Sequence, residues 1–303
     1  MKTIDAETYM HPQDRETLRT LKSLPGFTAL LQAFMKRFTG QMLHGVNMAT
    51  KIRLGKDQLP EIYELLPPIC GRLGITEPEL YLEMNPYPNA YTYGDDEAFI
   101  TITSGLIDSM TTDELKAVIA HECGHIACRH VLYRTMATVI LYGVADALGF
   151  GLISAPLKLA LASWQRTSEL SADRAAAVYM GGSDIVEDVM IRLASGSKTV
   201  IKGINKEAFM EQAADYEQLV KSSGYNRSLQ QLANLGGTHP FISVRCSEIH
   251  RWCQSAEFTD IMNGCNQPET SPEETSEQNR RCRDCGAELM EGARFCHECG
   301  ARQ

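Results

Sequence analysis

The first nineteen residues, Met1 to Arg19, lack the apolar core of a secretory signal and mix acids, bases and polar side chains instead. Export by that route is therefore not expected. Basic residues are in deficit, with 29 Lys and Arg against 38 Asp and Glu, a net charge of -9 and a pI near 5.4. That balance excludes a general nucleic-acid binder, whose affinity rests on clustered cations. The chain also lacks paired cysteine spacing outside its C-terminus: Cys70, Cys123, Cys128, Cys246, Cys253 and Cys265 form no disulfide framework. A reducing, cytoplasmic compartment fits this usage. Long apolar runs are scarce, and only residues 135–157 have the length of a span. A central Asp146 would cost about 3 kcal/mol in a bilayer, and the Gly, Ala, Ser and Thr around it offset that poorly. The segment reads as a buried or interfacial helical hairpin broken between Gly149 and Pro156, with membrane association as the other reading.

What remains is ordinary for a globular protein of 303 residues, 44% hydrophobic and 22% charged, with room for one good-sized core and a small appendage. Within it, His121-Glu122-Cys123-Gly124-His125 carries the chemistry. On a helix, histidines four positions apart share a face, so both can bind one zinc ion while Glu122 takes a proton from a zinc-bound water. Leu115, Val118, Ile119 and Ile126 give this helix an apolar stripe, and Thr111 with Glu114 supplies a capping box at its start. The pattern predicts a helix from Thr112 to about Arg134. A third histidine in the longer HExxHxxGxxH spacing is missing, because positions 128 and 131 are Cys128 and Val131. His130 falls one residue short and reads as a helix-face or structural histidine.

A zinc hydrolase needs a third protein ligand and an open fourth position. Glu169 and Asp173, again four apart on a helix predicted over Leu159 to Met180, supply a candidate ligand and an acceptor for a ligand histidine's free N–H. Ahead of the motif helix, the patterns predict two helices over residues 13–39 divided at Pro25-Gly26. They also give a short strand at Ile52 to Leu54, a helix from Glu61 to Leu73 shortened by Pro67-Pro68, and strands at Glu79–Glu83 and Ala98–Ile102. The last strand either offers an exposed edge to an extended peptide or is simply part of a small sheet. Downstream, His239 in Thr238-His239-Pro240-Phe241 is either a capping or solvent histidine or a group that reaches the site and stabilises an oxyanion.

At the C-terminus, Cys282-Arg283-Asp284-Cys285-Gly286 and Cys296-His297-Glu298-Cys299-Gly300 form two CxxC knuckles. Cys282, Cys285, Cys296 and Cys299 can hold a structural zinc that lets a short module fold without a core. It is similar to short zinc-ribbon modules. The Glu-, Ser-, Thr- and Pro-rich stretch 264–280 before it reads as a flexible linker.

The order of HExxH, then Arg166-x-x-Glu169-x-x-Ala172-Asp173, then His239-Pro240 with Arg245, resembles the M48 family of zinc metallopeptidases; Asn89-Ala90 also matches that pattern. The resemblance implies a gluzincin-like α+β fold, predominantly helical, with a small sheet whose edge strand holds the peptide. It further implies zinc on His121, His125 and Glu169, Glu122 as general base, Asp173 orienting a ligand, His239 assisting the transition state, and Asn89 and Ala90 at the substrate. The expected organisation is a helical lead-in (1–47), a metallopeptidase domain (48–263), the linker (264–280) and the ribbon (281–303). The expected activity is endopeptidase cleavage of peptide or protein substrates with two Zn2+ ions, one catalytic and one structural. The alternative is an inactive metallopeptidase scaffold that recruits a protein partner through its zinc ribbon.

Overall fold

The structure is a computed structural model that describes residues 2–37, 40–94, 97–141, 153–196, 199–222 and 242–266. These belong to the first of two compact units, Met1–Asn266; the second, Gln267–Gln303, lies outside the described residues. The four ribbon cysteines, His239 and most of the stretch 264–280 therefore lie outside them as well.

The architecture is mostly helical with one small sheet. A short helix α1 (Ala6–Tyr9) leads into α2 (Pro12–Ser23), which starts with Pro12 in its first turn and a His11 ring that accepts from the Gln13 amide at 3.1 Å. The chain breaks at Pro25-Gly26 and continues as α3 (Phe27–Arg37) and α4 (Gly40–Thr50). Strand β1 (Ile52–Arg53) is followed by α5 (Pro60–Tyr63) and α6 (Leu66–Leu73), so the adjacent prolines sit in the first turn of a short second helix rather than kinking one long one.

Strands β2 (Glu79–Glu83), β3 (Ala90–Gly94) and β4 (Ala98–Thr103) complete a four-stranded sheet of order β1-β2-β4-β3. Here the sequence expectation needs correction. The strand at 98–103 is interior, paired parallel with β2 and antiparallel with β3, and the edge on its side of the sheet is β3, which turn-forming neighbours concealed. Its register sets Thr92 opposite Ile100. Because side chains alternate across a strand, Thr92 shares the face of buried Ile100 and Ile102 and points toward the helical layer. A slip of one residue would put Tyr91 or Tyr93 there instead.

After α7 (Ser104–Ser109), the motif helix α8 (Thr112–Ala127) begins with the expected box: Thr111 Oγ1 accepts from the Glu114 amide, and Glu114 Oε2 accepts from the Thr111 amide at 2.6 Å. The helix ends at Ala127, seven residues before the expected Arg134. Arg129 adopts a left-handed φ of 58°, which stops the helix, and α9 (Val131–Leu141) begins two residues later. His130 sits in that turn and not on the helix face. Helix α10 (Ala155–Met180) then runs through Glu169 and Asp173 and closes at Gly181, whose φ of 83° favours glycine. Helices α11 (Asp184–Ser195), α12 (Lys206–Ser222), α13 (Ile242–Cys253) and α14 (Ala256–Asn266) finish the unit. Among the described residues, no helix is long and apolar enough to cross a membrane.

Two apolar clusters hold these parts. One joins the sheet, α6, α8 and the far half of α10 through Leu66, Ile69, Leu80, Ile100, Ile119 and Val178; the other joins α2, α3, α9 and the start of α10 through Leu21, Phe34, Met136, Leu161 and Trp164. Helices α8 and α10 meet where both carry small residues. A Cβ on Gly124 would lie 2.6 Å from Ala175 Cβ and 3.1 Å from Ala172 Cα, neither of which is a flexible tip. Gly124→Ala is therefore expected to force the helices apart and destabilise the fold by about 1–3 kcal/mol, as overpacking does. Denaturant unfolding measures this, and an unchanged midpoint would show that the contact is looser than the geometry says.

Candidate metal and active site

The close approach of α8 and α10 brings side chains from the two helices together. His121, His125 and Glu169 offer ligand atoms that all lie within 4.8 Å of one another. His121 Nε2 is 3.4 Å from Glu169 Oε2 and His125 Nε2 is 3.5 Å from Glu169 Oε1, so the carboxylate spans the two rings. The rings stand nearly perpendicular, with centroids 4.9 Å apart. His125 Nε2 is fully buried and has no hydrogen-bond partner, which would be costly unless something else meets its lone pair. Two imidazole nitrogens and one carboxylate, facing a common centre beside a cavity, suit zinc with a position to spare.

The groups around this centre fix each donor. His121 Nδ1 is 2.9 Å from Asp173 Oδ1. Asp173 is held in a two-pronged pair by Arg245, with Nε donating to Oδ2 at 2.8 Å and Nη2 to Oδ1 at 2.6 Å. Arg245 Nη1 also approaches Glu169 Oε2 at 3.3 Å, while Arg134 donates to Glu169 Oε1 and, at 3.2 Å, to Ser168 Oγ. Glu169 and Asp173 are both buried, and two arginines balance their charge. Burial alone would raise the Asp173 carboxyl; Arg245 outweighs it and holds Asp173 below the ordinary range. In return, burial works against the Arg245 charge and Asp173 with Glu169 more than restores it.

Glu122 accepts a hydrogen bond from Thr92 Oγ1 at 2.6 Å. It lines a cavity of about 230 Å³ together with His121, Glu169, Asp173 and Arg245. Asn89 and Ala90, at the start of the edge strand, line the same cavity, and the Asn89 carbonyl accepts from the Thr103 amide at 3.0 Å. The far wall is apolar: Leu106, Val118, Val186, Val189, Met190 and Leu193. The proposed role of His239 falls outside the described residues.

Several members of the site were not found from sequence. Thr92 lies on a strand that the turn-rich surroundings hid. Arg134 carries no spacing signal, because it belongs to a second helix past the Arg129 turn. Arg245 was visible beside the His239-Pro240 pair but had no assigned partner, and its link to Asp173 spans 72 positions. Arg174, next to Asp173 in the chain, stacks on Trp252 at 4.5 Å.

A profile of peptidase family M48 matches residues 69–253. The chain is 32% identical over 273 residues to the plastoglobule-localized metallopeptidase 48, chloroplastic, of Arabidopsis thaliana, covering 89% of this chain and 79% of that one. It is 26% identical over 235 residues to a protease HtpX homolog of Pelotomaculum thermopropionicum, covering 68% and 80% respectively. The crystal structure of S. mikatae Ste24p superposes with a TM-score of 0.36 at 16% identity, covering 78% of this chain and 64% of that one. That likeness is too loose to add to the assignment.

In the metal-free chain, burial opposes a charge on His121, but Asp173 and Glu169 outweigh it and raise its pKa to about 9. His125 is pushed well below its ordinary value by burial and by Arg134. The folded value of His121 exceeds its ordinary 6.5, so its contribution to stability is complete below pH 6.5 and is lost as pH rises through about 9. Melting temperatures of the chelated chain are expected to fall across this window more steeply than those of His121→Gln. Equal slopes would contradict the assignment of the proton to His121.

Proposed function

Because the chain belongs to peptidase family M48, we propose that it is a zinc-dependent endopeptidase acting on peptide or protein substrates. The observation that carries this reading is the convergence of His121, His125 and Glu169 beside Glu122, which lines the same cavity. Zinc held by these three side chains would keep one position open and supply Lewis acidity toward water and a peptide carbonyl.

The chain's own residues would do the rest. Glu122, steadied by Thr92, would accept a proton from the attacking water as its oxygen bonds to the carbonyl carbon. It would then pass that proton to the amine as the C–N bond breaks. Asp173 would hold the His121 ring in the tautomer that leaves Nε2 free, with Arg245 fixing Asp173. The β3 edge, beginning at Asn89-Ala90, would pair with an extended substrate backbone. A side chain next to the cleaved bond would enter the apolar wall of the cavity, which favours a substrate with a large aliphatic or aromatic residue there. His239 is proposed to assist the oxyanion.

Cys282, Cys285, Cys296 and Cys299 are proposed to bind a second, structural zinc in a ribbon that docks a protein partner. Metal analysis is then expected to give two zinc ions per full chain and one after removal of residues 281–303. Equal zinc in both forms would contradict the second site.

Glu122→Gln is expected to keep its zinc and lose about 10²–10⁴-fold in cleavage of an unfolded protein substrate. A variant that cleaves at the parent rate would remove Glu122 from the mechanism. Zinc-loaded parent protein that cleaves no peptide would favour the scaffold reading.

A further inference from the structure

The turn at Arg129 sends the His130 ring back under the motif helix, where it is fully buried with its ring centroid 5.3 Å from that of His125. His125 Nδ1 and His130 Nδ1 are 3.0 Å apart. One must donate and the other accept, and the far ends of the two rings decide which. His130 Nε2 lies 2.9 Å from Asp14 Oδ2, although the alignment falls short of a good hydrogen bond. Asp14, on α2 and buried, accepts from Trp164 Nε1 at 3.0 Å and from Ser171 Oγ at 2.5 Å. A carboxylate that receives donors on both oxygens is an acceptor toward His130 as well, so His130 Nε2 carries a proton. His130 Nδ1 is then bare and accepts the proton of His125 Nδ1. That leaves His125 Nε2 bare, buried and facing Glu169 and His121. The reverse order would set a bare His130 nitrogen against the Asp14 carboxylate.

We propose that Asp14 and His130 are positioning residues for the metal centre. Through the chain Asp14–His130–His125 they hold His125 in the one tautomer and ring orientation that presents Nε2 as a ligand. The N-terminal helix α2 is thereby part of the metal site, more than 100 positions before the ligands it serves. Ser171 ties the same carboxylate to α10, two residues past Glu169, and its Oγ also accepts from the His11 amide at 3.0 Å. The inference rests on the reading of His125 as a ligand.

The test is chelator competition for zinc on the full chain, with the C-terminal cysteines intact throughout, together with urea unfolding of each chelated protein. Loss of a group behind a ligand histidine typically weakens metal binding about 10–100-fold. His130→Phe, which keeps an aromatic ring and removes the acceptor, is expected to weaken the affected zinc by that factor. Asp14→Asn, which keeps the shape and removes the charge, is expected to weaken it about tenfold. His130→Asn, whose carboxamide oxygen can replace Nδ1 as acceptor, is expected to retain much of the affinity that His130→Phe loses. If His130→Phe does not fold, the contrast between Asp14→Asn and His130→Asn carries the same test. Variants that unfold more easily but bind zinc as tightly as the parent would overturn the proposal and leave a structural role. His125→Ala separates the two readings: retention of both zinc ions in that variant would remove the ligand assignment itself, whereas loss of one ion alongside parent affinity in the other variants would remove only the relay.

Discussion

The close contact between α8 and α10 is the constraint on which the site depends. The two histidines come from one helix and the glutamate from another, so their ligand atoms meet only if the helix axes approach to the limit that backbone contact allows. Gly124, between the two histidines, is what permits this, with Ala172 and Ala175 opposite. The glycine in the motif is thus a packing residue in a functional sequence, and its cost to helix propensity, about 1 kcal/mol, is offset by the geometry it allows.

Bringing carboxylates into that seam removes them from water, and each would be strongly destabilising without a counter-charge. The fold supplies two arginines from separate helices, Arg134 on α9 and Arg245 on α13, so that Glu169 and Asp173 are paired before any metal arrives. The pairing also holds the carboxylates in place. A metal that enters finds its oxygen donor oriented from both sides, and His121 already aligned by Asp173. Preorganisation of this kind lowers the reorganisation needed on binding, and it sets several strongly coupled charges within hydrogen-bonding distance of one another.

Features governed by local rules were legible in the sequence. The capping box at Thr111, the helical spacing of His121 and His125, the matching step from Glu169 to Asp173, and the break at Pro25-Gly26 each rest on contacts a few positions apart. What local pattern could not carry was long-range pairing. The edge strand was hidden because Asn, Pro and Gly around Tyr91-Thr92-Tyr93 speak for turns, while the pairing that makes it a strand is supplied by β4. The end of α8 was missed because apolar periodicity continues into α9, and only the backbone at Arg129 marks the break. Asp14 went unnoticed, and Arg245 was seen without its partner, for a plainer reason: their partners lie on other helices, and no spacing rule spans such distances.

Those long-range contacts all converge on the claim that His121, His125 and Glu169 form one zinc site with Glu122 beside it and not bound. X-ray diffraction from crystals of the zinc-loaded full chain, collected on both sides of the zinc absorption edge, tests that claim most directly. The account predicts an anomalous peak about 2.0–2.2 Å from Nε2 of both histidines and from a Glu169 oxygen, with Glu122 outside bonding distance. A zinc-replete crystal with no peak there, or with Glu122 as a ligand in place of Glu169, would contradict it.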